Sequence, residues 1–236
     1  MATGDASFRP IWVVPCYKHE ACLREFVKQL LPTGIPVLVV DDGNPTPMEP
    51  IEGASLLRCD QNGGKGSALI AGAEWALARG YTHLVQIDAD GQHAVADALT
   101  MIEAAKAEPD TLFSGFPVYD ESVPKSREKG REVTRFFLRL ETGLKREDGL
   151  CGCRVYPLQD FLKVVQRVWT RRMGFDVEVI VKWVWQGLQV RQHFVHVTYP
   201  LDGVSNFHMV RDNVAFFMLH SRLCCSRIFR LLRFMR

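Results

Sequence analysis

THLVQIDADGQH, residues 82–93, sets a short apolar run against a cluster of polar groups, Asp88, Asp90, Gln92 and His93. A β-branched-rich run closed by turn residues reads as a buried strand. The same form appears upstream in IWVVP (11–15) and IPVLVVDDG (35–43), and downstream in DTLFSGFP (110–117). Helical patterns at about 19–31, 64–79 and 95–107 lie between these runs, and Gly80 is placed to cap the second. Apolar strands separated by helices predict an α/β fold, a doubly wound parallel sheet covered on both faces.

Composition narrows the class further. Of 236 residues, 47% are hydrophobic and 24% charged, which suits a globular chain with a sizeable core. Lys plus Arg number 29 and Asp plus Glu 27, a net charge of +2 that gives no bulk signal for nucleic acid. No uninterrupted apolar run is long enough to span a membrane, and MATGDASFRP has no secretory pattern. The seven cysteines have no regular framework and are expected as free thiols in the cytosol.

In open parallel sheets, ligands bind beyond the carboxyl ends of the strands. The polar residues fall there: Pro15 to Tyr17, Asp41-Asp42-Gly43, and Asp88-Ala89-Asp90. Asp88 and Asp90 are two apart, so at a strand end they can hold a cation together. Hard oxygen ligands suit Mg²⁺ or Mn²⁺, and Gln92 adds a neutral ligand. NGGKG (62–66) opens a small-residue helix whose N-terminus can approach a phosphate, with Lys65 adding charge. It lacks Walker A spacing, and no G-x-G-x-x-G follows the first strand.

Taken together, these segments resemble the family 2 glycosyltransferases with a GT-A fold, in the branch similar to dolichyl-phosphate mannose synthase and bacterial polyprenyl-phosphate sugar transferases. The matching residues are Pro15-Cys16-Tyr17, Val40 to Gly43, Asn62 to Gly66, Asp88 to His93, and Asp148 followed by Gly152-Cys153-Arg154. The resemblance implies a Rossmann-like, mixed but mostly parallel sheet, and a UDP- or GDP-sugar donor. It implies Pro15, Tyr17, Asp41, Asp42, Lys65, Asp88 and Ala89 around the nucleotide, with Asp88, Asp90 and Gln92 around a metal–diphosphate. Asp148 becomes the first candidate base, Asp176 and Glu178 the second, and Arg154 and Arg131 candidates for phosphate contact. The chain departs from the family pattern P-x-Y-N-E, carrying Lys18 and His19 at its last two positions.

The segment from 118 to about 150 turns polar and reads as a loop to about 127, then a helix to about 142. Lys125 and Arg127 are expected to close over the site with Arg131. Helices are expected at 157–169 and 176–186, and a strand at 188–200. Residues 1–210 are expected as the catalytic domain and 211–236 as an amphipathic helix. On a wheel, Arg222, Arg227, Arg230, Arg233 and Arg236 face away from Ile228, Leu231, Leu232 and Met235. That pattern predicts peripheral contact with the inner face of the cell membrane, where a lipid or polyprenyl-phosphate acceptor is reached. Two rivals are a sugar nucleotidyltransferase, whose phosphate loop is missing here, and a nucleotide-sugar-binding scaffold without turnover.

Overall fold

The computed structural model describes residues 8–119, 125–145, 147–198 and 209–234. In chain order the elements are β1 (Pro10–Cys16), α1 (Glu20–Leu30), β2 (Val37–Asp41), β3 (Ser55–Arg58), α2 (Lys65–Leu77), β4 (His83–Gln86) and α3 (Val95–Ala107). There follow β5 (Leu112–Tyr119), α4 (Lys125–Thr142), β6 (Arg154–Pro157), α5 (Leu158–Val165), α6 (Phe175–Trp185), β7 (Val190–Val197) and α7 (Met209–Phe234). The seven strands form one sheet in the order β3-β2-β1-β4-β6-β5-β7.

The sheet is mixed and mostly parallel. β1 pairs in parallel with β2 and β4, while β6 runs antiparallel to both β4 and β5. The parallel sheet expected from the strand runs is therefore corrected at one place, where a reversed strand separates β4 from β5. Two strands escaped the sequence reading. SLLR of β3 is a short edge strand, and RVYP of β6 opens on an arginine.

Alternation along the central strands feeds two cores. Trp12 and Val14 of β1 pack with Leu23, Phe26 and Val27 of α1 and Met101 and Ile102 of α3. Ile11 and Val13 pack on the other face with Leu69 of α2, Phe161 of α5 and Trp183 of α6. Each such large side chain contributes about 1.5–3 kcal/mol by leaving water. The small residues of α2 have a packing cause, because a Cβ on Gly72 would stand 2.6 Å from Val13 Cγ1. The helix lies too close to β1 for anything larger.

α7 packs on α4 and α6 through Leu219 and Leu223, which join Leu138, Val177, Ile180 and Val181 in a third cluster. His220 Nδ1 lies 2.8 Å from Glu141 Oε1, and Arg222 donates to Glu178 Oε1 at 2.7 Å. Arg230 donates to the Trp185 carbonyl at 2.8 Å. Two arginines of the basic face are thus turned onto the domain. The opposite face carries Val214, Phe217, Met218, Ile228, Phe229 and Leu232, all exposed. The side chains of Leu231, Arg233, Met235 and Arg236 lie outside the described residues.

Candidate active site

The register brings the chemistry-bearing segments to one end of the sheet. Cys16 is aligned with Asp41, and Val13 with Gln86, so β1, β2 and β4 finish side by side. Because β6 is reversed, its first residue meets the last residue of β4, Gln86 opposite Arg154. The segment 148–153 therefore arrives where 87–93 departs.

Two kinds of aspartate stand at these ends. Asp41 and Asp42 are buried and face inward. Asp41 accepts bonds from the Asn44 and Met48 amides, the Asn44 side chain and Arg58. Burial opposes its charge, but these donors hold it below the usual carboxylate range. Asp42 takes the Asn62 side chain at 2.8 Å and the amides of Gly63 and Gly64 at 3.0 and 2.9 Å. Burial nevertheless raises it. These bonds revise the reading of the glycine-rich segment: two of its amides close on Asp42 instead of offering themselves to a phosphate.

Asp88 and Asp90 are different, since both are partly open. Lys65, the first residue of α2, donates to Asp88 Oδ1 at 2.6 Å and to Asp176 Oδ2 at 2.7 Å. Burial disfavours its charge, yet the two carboxylates hold the ammonium above the usual lysine range. Asp90 is raised by burial and then by Asp88, and its Oδ1 accepts the Gln92 amide at 3.1 Å. His93 is buried, which lowers it against the pull of Asp88 and Asp90, and its Nδ1 has no hydrogen-bond partner. Ala89 is buried between the two aspartates, while Pro15 and Tyr17 are half-buried at the end of β1, with the Lys18 ammonium 5.1 Å from the Tyr17 ring centre.

This donor set fits a divalent ion of a particular kind. Among the described residues, no three His, Cys, Asp or Glu side chains converge to hold an ion alone. Two partly open carboxylates and an amide at a strand end instead match a hard ion whose remaining positions are filled by water and phosphate oxygens. The orphaned His93 nitrogen marks a buried polar group beside them that the protein itself does not satisfy.

Asp148, the expected base, is almost wholly buried. Arg131 donates to it at 2.7 Å, Arg135 at 3.2 and 3.0 Å, and the Leu150 amide at 2.8 Å. A carboxylate with this many donors anchors α4 to the segment 148–153. Arg154 is fully buried and donates to the carbonyls of Cys151, Gly149 and Asp176 and to the Tyr156 hydroxyl. It lies beneath the site and not in its mouth. Asp176, held by Lys65 and Gln86, and Glu178, held by Thr170 and Arg222, are likewise fixed internally. The side chains of Lys125 and Arg127 lie outside the described residues.

Gln86, Arg135 and Glu147 have no place in the sequence reading, whereas Gly152 belongs to its matching segment. Gln86 is a polar residue at the end of an apolar strand, a signal that was available. Glu147, beside Asp148, is buried against the Ser114 hydroxyl at 2.7 Å, and burial pushes it up to about 7.

Comparison with known proteins gives the class. The family described as Glycosyl transferase family 2 matches residues 11–164, and the chain belongs to it. It is a family 2 glycosyltransferase with a GT-A fold. It is 29% identical over 196 residues to polyprenol monophosphomannose synthase of Mycolicibacterium smegmatis, covering 77% of this chain and 74% of that protein. It is 28% identical over 186 residues to undecaprenyl-phosphate mannosyltransferase of Micrococcus luteus, covering 72% and 76%. A crystal structure of glucosyl-3-phosphoglycerate synthase from Mycobacterium tuberculosis shares the fold at a TM-score of 0.61 and 18% identity, covering 84% of this chain and 75% of that one.

Proposed function

We propose that this enzyme moves a sugar, with inversion, from a UDP- or GDP-sugar to a lipid or polyprenyl-phosphate acceptor at the cytosolic face of a membrane. The observation that carries the reading is the pair of partly open carboxylates, Asp88 and Asp90, at the carboxyl end of β4 beside Lys65. The names of the two curated relatives support the acceptor class. A solved structure of the same fold contains Mn²⁺ and UDP-glucose, in keeping with the donor class.

Asp88, Asp90 and Gln92 would hold Mg²⁺ or Mn²⁺. Bound there, the ion supplies positive charge to the departing nucleoside diphosphate. Tyr17, Pro15 and Ala89 line the donor side, with Asp41 and Asp42 fixing the loops that shape it. In the transfer, the acceptor oxygen bonds to the anomeric carbon as the bond from that carbon to the diphosphate oxygen breaks. A phosphate acceptor is already ionised and needs no base, which suits a site whose Asp148 is taken up by two arginines. Arg131, oriented by Asp148, is the candidate contact to the acceptor phosphate, and Arg154 supports the site from below.

The outward apolar face of α7 is the proposed membrane contact. Among the described residues no helix is long and apolar enough to cross a membrane, so contact rests on the exposed stripe from Val214 to Leu232. The test is transfer of labelled hexose from UDP- and GDP-sugars to polyprenyl phosphate in detergent, with Mg²⁺ or Mn²⁺. Transfer from one nucleotide class, lost in a folded Asp90→Ala variant, is expected. Pyrophosphate release from a nucleoside triphosphate, or donor binding without turnover, would overturn the reading.

A further inference from the structure

Lys65 is one ammonium between two carboxylates, and the second of these, Asp176, comes from the first turn of α6, 111 residues away. Asp176 is fixed on every side. Its Oδ1 accepts Gln86 Nε2 at 3.0 Å, and its carbonyl accepts Arg154 at 2.8 Å. The Arg154 guanidinium stands 3.9 Å from the same Oδ1. Burial opposes the Asp176 charge, but Lys65 and then Arg154 hold the carboxyl below its usual range. With only 6% of its surface exposed, Asp176 is poorly placed to take a proton from an acceptor.

An ammonium paired with Asp88 alone would cancel the charge that a divalent cation needs there. Shared with Asp176, the same ammonium leaves the three groups with one net negative charge. We propose that Asp176 is a positioning residue that offsets the charge of Lys65 and so leaves Asp88 open to a divalent cation. The inference rests on the reading of Asp88 and Asp90 as metal ligands.

Charge arithmetic over Lys65, Asp88 and Asp176 separates this role from a structural one. The net charge is −1 in the wild type, 0 in Asp176→Asn, −2 in Lys65→Met, and −1 again in the double variant. Binding of Mn²⁺ to the full chain, read by electron paramagnetic resonance with UDP or GDP present, should follow that order. Asp176→Asn should weaken Mn²⁺ about tenfold or more, the scale of one unit charge removed a few ångströms away. Adding Lys65→Met to Asp176→Asn should restore affinity to near the wild-type value, and Asp176→Glu should keep most of it.

Unchanged Mn²⁺ affinity in Asp176→Asn, or failure of Lys65→Met to rescue it, would overturn the proposal while leaving the metal site standing. No Mn²⁺ binding by folded wild-type protein would overturn the metal site itself. Should Asp176→Asn not fold, Lys65→Met alone decides: binding at least as tight as wild type supports the proposal, and weaker binding overturns it.

Discussion

The α-carbon of Gly152 lies against the carboxylate of Asp88, so closely that a β-carbon there would overlap both carboxylate oxygens. Gly152 thus sets where the Asp88 oxygens sit, although the two residues belong to different segments. Gly152→Ala should push the Asp88 side chain aside by about an ångström, a misplacement that costs about a hundredfold in rate. Because the displaced atoms end a partly open side chain, thermal stability should change little. The transfer assay and a melting curve on one preparation check both halves.

Arg154 satisfies three carbonyls and a hydroxyl from a fully buried position. Removing it strands these acceptors beneath the site. Arg154→Met should cost about 3–5 kcal/mol in guanidinium unfolding, the range found when one partner of a buried charged cluster is removed.

Glu147 supplies a pH dependence with a defined sign. Its carboxyl titrates near 7 in the folded chain against 4.5 for the ordinary group, because of burial. Between those values the folded protein binds a proton that the unfolded chain has released. Stability therefore falls as pH rises through that window, by about 3 kcal/mol in all, and levels off above it. Glu147→Gln should remove this slope, so wild type minus variant stability, from urea melts at pH 5 and 7.5, should shift by about 2–2.5 kcal/mol, the part of the window between those two pH values.

Lys18 adopts a left-handed backbone, φ 61°, where the family pattern has Asn, and its amide donates to Asn44 Oδ1 at 2.8 Å. Asn and Gly tolerate that conformation better than Lys. Lys18→Asn should keep the amide bond and raise stability by about 0.5–1 kcal/mol, measured by thermal unfolding.

For α7, the arrangement predicts membrane binding driven by apolar area. Arg222 and Arg230 are engaged with Glu178 and Trp185, while Phe217 and Phe229 point outward. Phe217→Asp and Phe229→Asp together should abolish sedimentation with phosphatidylcholine vesicles. Raising salt from 0.05 to 0.5 M, which screens charge over about the Debye length, should change wild-type binding less than threefold. Strict dependence on anionic lipid would contradict this assignment.

How much of this was visible in the sequence depends on what each residue's partner is. The strands β1, β2, β4 and β5 were legible because apolar runs bounded by Pro and Gly have a local cause. β6 was not, since its four residues begin with an arginine whose burial is made possible only by Gly149, Cys151, Tyr156 and Asp176. The strand-end aspartates were legible as a group, but not the direction of each side chain. Asp42 turns inward because Asn62 to Gly64 supply three donors, while Asp88 and Asp90 stay partly open. The wheel of α7 separated arginines from apolar residues, but the side that met the domain was decided by partners far away in sequence, the cluster of Leu138, Val177 and Ile180, together with Glu141, Glu178 and the Trp185 carbonyl.

The reversal of β6 also has a bearing on how such an enzyme can diversify. Because the strand runs against its neighbours, the segment 148–153 reaches the DADGQH segment from the far side of the chain, with α4 anchored to it through Asp148. On the proposed reading, donor and acceptor are held by separate stretches of the chain, which meet at Gly152 against Asp88 and at Asp176 against Lys65 and Gln86. On that reading, substitutions along α4 can alter the acceptor end while the donor-side residues of β1, β2 and β4 stay unchanged.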